Sequence, residues 1–265
     1  MPSRIRPTPP GGDGPTLARL RRWNVLVGLA HAAQAALILA LASDFSLPVT
    51  TTFLEGPPGS DEAGSKLLYD LPIGPAVAAF LLLAALDHLL VASPWLVGWY
   101  ERNLLAGTNP ARWWEYSLSA SLMIVLIAML TGVSELSALV AIFGVNAAMI
   151  LFGLVMERVN RPGQPVEWRP FVYGSIVGAV PWIAIAAQIA VAEAEGTDGG
   201  VPAFVFAIFV SLFVAFFSFA ANMALQYARA GRWRDYLHGE KAYLVLSLVA
   251  KSLLAWQVFA NALVS

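Results

Sequence analysis

The stretch Ala242 to Val264 limits this chain more than any other. It reads AYLVLSLVAKSLLAWQVFANALV, apolar apart from small polar groups and a single lysine, Lys251. At 1.5 Å per residue it is roughly 34 Å long, enough to cross a bilayer. Lys251 then falls near the midplane, where an ammonium costs at least ~2.5 kcal/mol. Two readings account for such a residue. A desolvated lysine can condense with an aldehyde. Alternatively it pairs with an acid for packing, although snorkelling from mid-helix is poor.

Composition generalises the point. The 265 residues are 58% hydrophobic and 12% charged, against about 25% charged in soluble domains. An all-α integral membrane protein is expected, with seven spans: about 16–42, 73–100, 111–130, 134–156, 170–192, 201–229 and 242–264. Residues 1–15 read as a disordered tail and 16–265 as one membrane domain. Pro94 predicts a kink in the second span. A leader-peptide reading of the first span fails because its apolar run is too long and is interrupted by His31 and Gln34. No internal duplication of the transporter kind is visible. Residues 43–71 form the one long connection, and Leu47–Leu54 and Lys66–Tyr69 predict a small β-hairpin there. A net charge of −1 gives no footing for nucleic acid, and the absence of cysteine removes thiol chemistry and Cys-based metal sites. Three histidines, two of them on spans, make a His-only metal cluster improbable.

Of the 16 Lys+Arg, fourteen lie in the N-terminal segment and the second-to-third, fourth-to-fifth and sixth-to-seventh connections. Lys66 alone lies on the other side. This asymmetry predicts a cytoplasmic N-terminus and an extracellular C-terminus.

Within the spans the ionisable residues are His31, Asp87, His88, Glu115 and Lys251. Such groups face the bundle interior or a wet cavity. If Lys251 carries a protonated imine, Glu115 is the first candidate for its counter-charge and Asp87 the second; Asp87 also reads as a locally bonded or neutral acid. Arg112, three residues before Glu115, either tunes that acid or anchors its helix at the interface. Ser247 precedes Lys251 by four residues and so shares its face, unless it back-bonds to its own helix. His31 and Gln34, spaced i, i+3, would join His88 in a polar pocket, or each histidine is simply hydrogen-bonded in place. Trp182, Phe213, Phe216 and Phe217, with Tyr116, suit an elongated apolar ligand; packing or lipid contact is the other use of such a run.

Seven spans with a mid-helix lysine in the last resemble the microbial rhodopsins. The inverted topology, Ser247-x-x-x-Lys251, Glu115 followed by Tyr116, His31-x-x-Gln34, His88 and the long outer first loop together resemble the heliorhodopsins, over about Arg19 to Leu263. The resemblance implies all-trans retinal on Lys251 as a protonated Schiff base, Glu115 as counterion and Ser247 as its hydrogen-bond partner. It implies that His31 and His88 line the cavity receiving the proton. It also implies a light-sensing homodimer rather than an enzyme, with a slow photocycle and signalling to a cytoplasmic partner in place of ion transport. A light-driven or light-gated ion transporter on the same scaffold, and a seven-span protein without retinal in which Lys251 and Glu115 form an ion pair, are the rival readings. Asp87 has no role in the resemblance.

Overall fold

A computed structural model describes residues 13–59, 63–160, 164–196 and 200–264. Residues 1–12, most of the expected tail, lie outside the described residues. The chain forms α1 (Asp13–Leu41), β1 (Ser46–Leu54), β2 (Ala63–Pro72), α2 (Ile73–Ala92), α3 (Val97–Leu105), α4 (Pro110–Leu130), α5 (Leu136–Val159), α6 (Arg169–Glu195), α7 (Ala203–Tyr227) and α8 (Tyr236–Val258). A wider π-type turn, Phe259–Leu263, ends α8. Seven of these helices, α1, α2 and α4 to α8, are long and apolar enough to cross a membrane. Helices are the expected solution, because every backbone polar group in hydrocarbon must be satisfied within the segment.

Local chemistry sets the helix ends. Asn109 caps α4 by accepting from the Arg112 N–H at 3.2 Å, with Pro110 at the first helical position. Asp235 caps α8 by accepting from the Leu237 N–H at 2.9 Å. Pro94 does more than kink the second span. Proline pushes its predecessor out of the helical region, and Ser93 is extended at φ −66°, ψ 156°. The span therefore stops at Ala92, and α3 restarts separately at Val97.

The expected hairpin is present. β1 and β2 pair antiparallel, with an irregularity between Val49 and Thr50. It is fastened to the connection between α4 and α5: the Thr50 N–H donates to the Ser134 carbonyl at 2.9 Å, and the two side-chain hydroxyls lie 3.0 Å apart.

The bundle has two unlike halves. Toward the hairpin, Ile38, Phe80, Leu81, Ile124, Leu126, Leu254 and Val258 form a fully buried apolar core. Toward the arginine-rich end the interior is polar, holding Asn24, His88, Asn109, Arg112, Glu157 and Glu240. Helix α4 contributes to both and is the most enclosed of the spans, whereas α6 and α7 turn much of their surface outward.

Candidate functional site

One face of α8 carries Glu240, Tyr243, Ser247 and Lys251, at intervals of three and four residues that stack side chains along a helix. Lys251 is 3% exposed and Glu115, on α4, 7%. The Lys251 Nζ lies 3.1 Å from Glu115 Oε1 and 3.2 Å from Oε2, donating to the latter. It also donates to Ser247 Oγ at 3.0 Å and sits 4.8 Å from the centre of the Tyr116 ring. The three residues that the spacing brought forward thus meet around one nitrogen. Asp87 is not a partner of Lys251.

On the far side of Tyr116 and Ser247 the space opens. A cavity of about 670 Å³ runs between α4, α5, α6, α7 and α8, with Lys251 and Ser247 in its wall. Trp182 supplies its centre, with ring centroids of Phe209, Phe213 and Phe216 at 5.7, 5.3 and 5.4 Å. Phe217 also lines the cavity but is 66% exposed, so it forms part of the rim. Gly153 matters to the shape: a Cβ there would come within 2.3 Å of the Trp113 ring, so α5 reaches the wall only without a side chain.

His31 and His88 lie together, their rings stacked with centroids 5.9 Å apart. Asn24, which sequence reasoning missed, fixes the tautomer. Its Nδ2 donates to the Leu20 carbonyl at 3.1 Å, so its Oδ1 faces His88 Nδ1, 2.9 Å away. An amide oxygen only accepts, so the proton of His88 is on Nδ1 and Nε2 is a bare lone pair. Among the described residues Nε2 has no partner, nor has either nitrogen of His31. Gln34 does not join them. It donates to the Ala30 carbonyl and accepts from Trp256 Nε1 at 2.9 Å, so of the expected pocket of His31, Gln34 and His88 only the two histidines come together.

Arg112 is corrected as well. It is not an interfacial anchor but is fully buried between two acids, Glu157 from α5 and Glu240 from α8. Its guanidinium lies 3.9 Å from the centre of the Tyr243 ring. Tyr236 donates to Glu157 at 2.9 Å, and Asn109 donates from its backbone to Glu157 at 2.7 Å and from its side chain to Glu240 at 2.6 Å. Tyr116 donates to the Tyr243 carbonyl at 3.1 Å, linking this cluster to the Lys251 site. Just outside the spans, burial pushes the Tyr100 phenol well above its ordinary value, and Tyr100 accepts from Asn24 Nδ2 at 3.2 Å. The stripe Glu240, Tyr243, Ser247, Lys251 was a usable signal for the cluster.

Comparison with known proteins agrees with this geometry. The heliorhodopsin family model matches residues 20–263. A search of curated proteins finds no match. Among solved structures, the crystal structure of a light-driven proton pump from Leptosphaeria maculans is similar at a TM-score of 0.59 and 15% identity, over 96% of this chain and 97% of that one. That likeness shows the shared fold. The family implies a retinal chromophore, and the residues present fit one: a single buried lysine amine among the described residues, a carboxylate for its charge, and a long apolar cavity within the ~300–1,000 Å³ of small-molecule sites. The chain belongs to the heliorhodopsin family, and with it to the rhodopsin-type membrane proteins.

Proposed function

We propose that the protein is a light sensor, with all-trans retinal joined to Lys251 as a protonated Schiff base, Glu115 as counterion and Ser247 as hydrogen-bond partner. The observation that carries this is the position of Lys251 Nζ, in the wall of the 670 Å³ apolar cavity and between Glu115 and Ser247. When bound, retinal supplies visible absorption and a light-driven change of shape. The protein residues then govern one proton. Glu115 holds it on Lys251 Nζ in the dark by charge, and Ser247 orients it. His88 Nε2, with its free lone pair, and the stacked His31 ring are the acceptors within the same polar half.

The one-sided bundle supports sensing over pumping. From the level of Lys251 to the hairpin end, the spanning helices hold no acidic or basic side chain until Glu193 and Glu195 at the end of α6. The space is filled by Ile38, Phe80, Leu81, Ile124 and Leu254. Among the described residues no acidic or basic side chain offers a proton leaving Lys251 a relay through that half. With the arginine-rich end in the cytoplasm, as the charge asymmetry supports, the N-terminus is inside. The signal is then a change of shape passed to a cytoplasmic partner, from a homodimer in the cell membrane.

The test is a visible spectrum of protein expressed with all-trans retinal, beside Lys251→Ala. A visible band present in the parent and absent from the variant is expected; folded but colourless parent protein would refute the reading. Glu115→Gln is expected to move the band to longer wavelength by removing the charge that stabilises the dark state, and an unmoved band would assign the counterion to Asp87. Light-driven pH change in vesicles would show a transporter instead.

A further inference from the structure

Asp87 is an acid of the polar half that the photoreceptor reading leaves unused and that, unlike Glu157 and Glu240, has no cation paired to it among the described residues. It lines a second cavity, of about 10 Å³, with His88, Asn24, Tyr100, Arg112 and Glu240. That is about the volume of one water, and the lining offers several polar partners for it. The polar groups that share this cavity with Asp87 come from every neighbouring element: Asn24 on α1, Tyr100 on α3, Asn109 beside α4, Arg112 and Tyr116 on α4, and Glu240 and Tyr243 on α8; the charges of Glu115 and Lys251 also act on it.

Counting charge shows what Asp87 must carry. Among the described residues this region holds two cations, Lys251 and Arg112, and four acids, Asp87, Glu115, Glu157 and Glu240. With all four ionised, two negative charges would lie uncompensated in a medium where a single unpaired ion is costly. The acids are not equally provided for. Glu115 is paired with Lys251. Glu157 accepts from Arg112, the Asn109 backbone and Tyr236. Glu240 accepts from Arg112 and the Asn109 side chain. No protein group among the described residues donates to Asp87, so of the two excess charges the one on Asp87 is the first that a proton must neutralise.

We propose that Asp87 stores a proton in the dark and trades it with Lys251 Nζ during the light-driven cycle, through His88 and the one-water cavity. The trade rests on the photoreceptor reading; the dark store does not. First the N–H bond at Lys251 breaks and an N–H bond forms at His88 Nε2. Then the Asp87 O–H bond breaks, its proton passes through the cavity water, and the N–H bond at Lys251 re-forms. Finally His88 returns its proton to the adjacent Asp87 carboxylate. Each proton lost by one group is gained by another, and no electron moves.

Asp87 is the only aspartate within a spanning segment, so infrared spectra of protein carrying carbon-13 aspartate report on it directly. In the retinal-free protein at neutral pH, a shifted carboxylic C=O stretch is expected, and Asp87→Asn should lose it. Absence of that stretch from the parent would overturn the store, whether or not the variant folds. In the retinal-loaded parent, the stretch should fade after illumination and return with the visible band; a stretch indifferent to light while the visible band cycles would overturn the trade. Asp87→Asn should slow recovery roughly 100-fold, the lower end of what a positioned acid contributes, and Asp87→Glu should restore it. A colourless parent would overturn the photoreceptor reading, and the trade with it, while the retinal-free stretch still decides the store.

Discussion

Replacing Arg112 with Gln should be the most damaging single change outside the Lys251 site. The guanidinium, Glu157 and Glu240 have side-chain exposures of 4%, 2% and 1%, so water cannot replace what is lost. Two charge-assisted hydrogen bonds disappear, each about 1.5–3 kcal/mol, together with a cation–π contact on Tyr243 at 3.9 Å. Breaking a buried pair by removing one partner typically destabilises by about 3–5 kcal/mol, and we take ~4 kcal/mol. For a chain of this size that lowers the unfolding midpoint by roughly 10 °C. Circular dichroism of the detergent-solubilised, retinal-free protein measures it independently of any chromophore. The double variant Arg112→Gln, Glu240→Gln should recover part of the loss, because one of the two stranded carboxylates has been neutralised. A single variant within about 1 kcal/mol of the parent would refute the account of a buried, mutually dependent cluster. So would a double variant no more stable than the single one.

Three further changes probe the rest of the structure. Gly153→Ala places a methyl 2.3 Å from the Trp113 ring; it should cost about 1–3 kcal/mol as overpacking, read by thermal unfolding, and displace the cavity wall, read as a shifted visible band. Asn24→Ala leaves the His88 Nδ1–H without its 2.9 Å acceptor; a loss of about 1–3 kcal/mol is expected, and nitrogen-15 NMR of His88 should show a mixture of tautomers where the parent shows one. Thr50→Val removes the hydroxyl contact to Ser134 at 3.0 Å but keeps the backbone bond; about 1 kcal/mol should be lost, seen as faster amide exchange confined to β1 and β2.

The seven spans were legible because hydrocarbon leaves a chain few choices, and the hairpin because the β-branched run Leu47–Leu54 and the short run Lys66–Tyr69 both fall in the one long connection. Glu115, Ser247 and Lys251 were legible for a sharper reason: a charge in mid-membrane has to be answered, and helical spacing says which neighbours can answer it. Where the answer comes from elsewhere in the chain, spacing is silent. Arg112 read as an interfacial anchor because its partners are 45 and 128 residues away. Gln34 read as a neighbour of the histidines because i, i+3 residues share a face, but that face is wide enough for His31 to meet α2 while Gln34 meets Trp256 on α8.

The same two-sidedness links these errors to the function. A polar residue near a helix end reads as interfacial when the bundle is assumed to be alike at both ends. Here the arginine-rich end is excavated: Asn109, Arg112, Glu157 and Glu240 are buried at depths where the hairpin end has leucine, isoleucine and phenylalanine. In the proposed cycle, the titratable groups open to a proton released at Lys251 are, among the described residues, His31, His88, Asp87 and the carboxylates on that side. On that proposal, the displacement changes which of them are charged, and this supports sensing over transport. Because Tyr116 and Tyr243 join the Lys251 site to Arg112, and Arg112 ties α4 to α5 and α8, that change falls on the contact that holds three helices together at the arginine-rich end. Under the proposed photochemistry, a proton shift at Lys251 would therefore act on helix packing at that end.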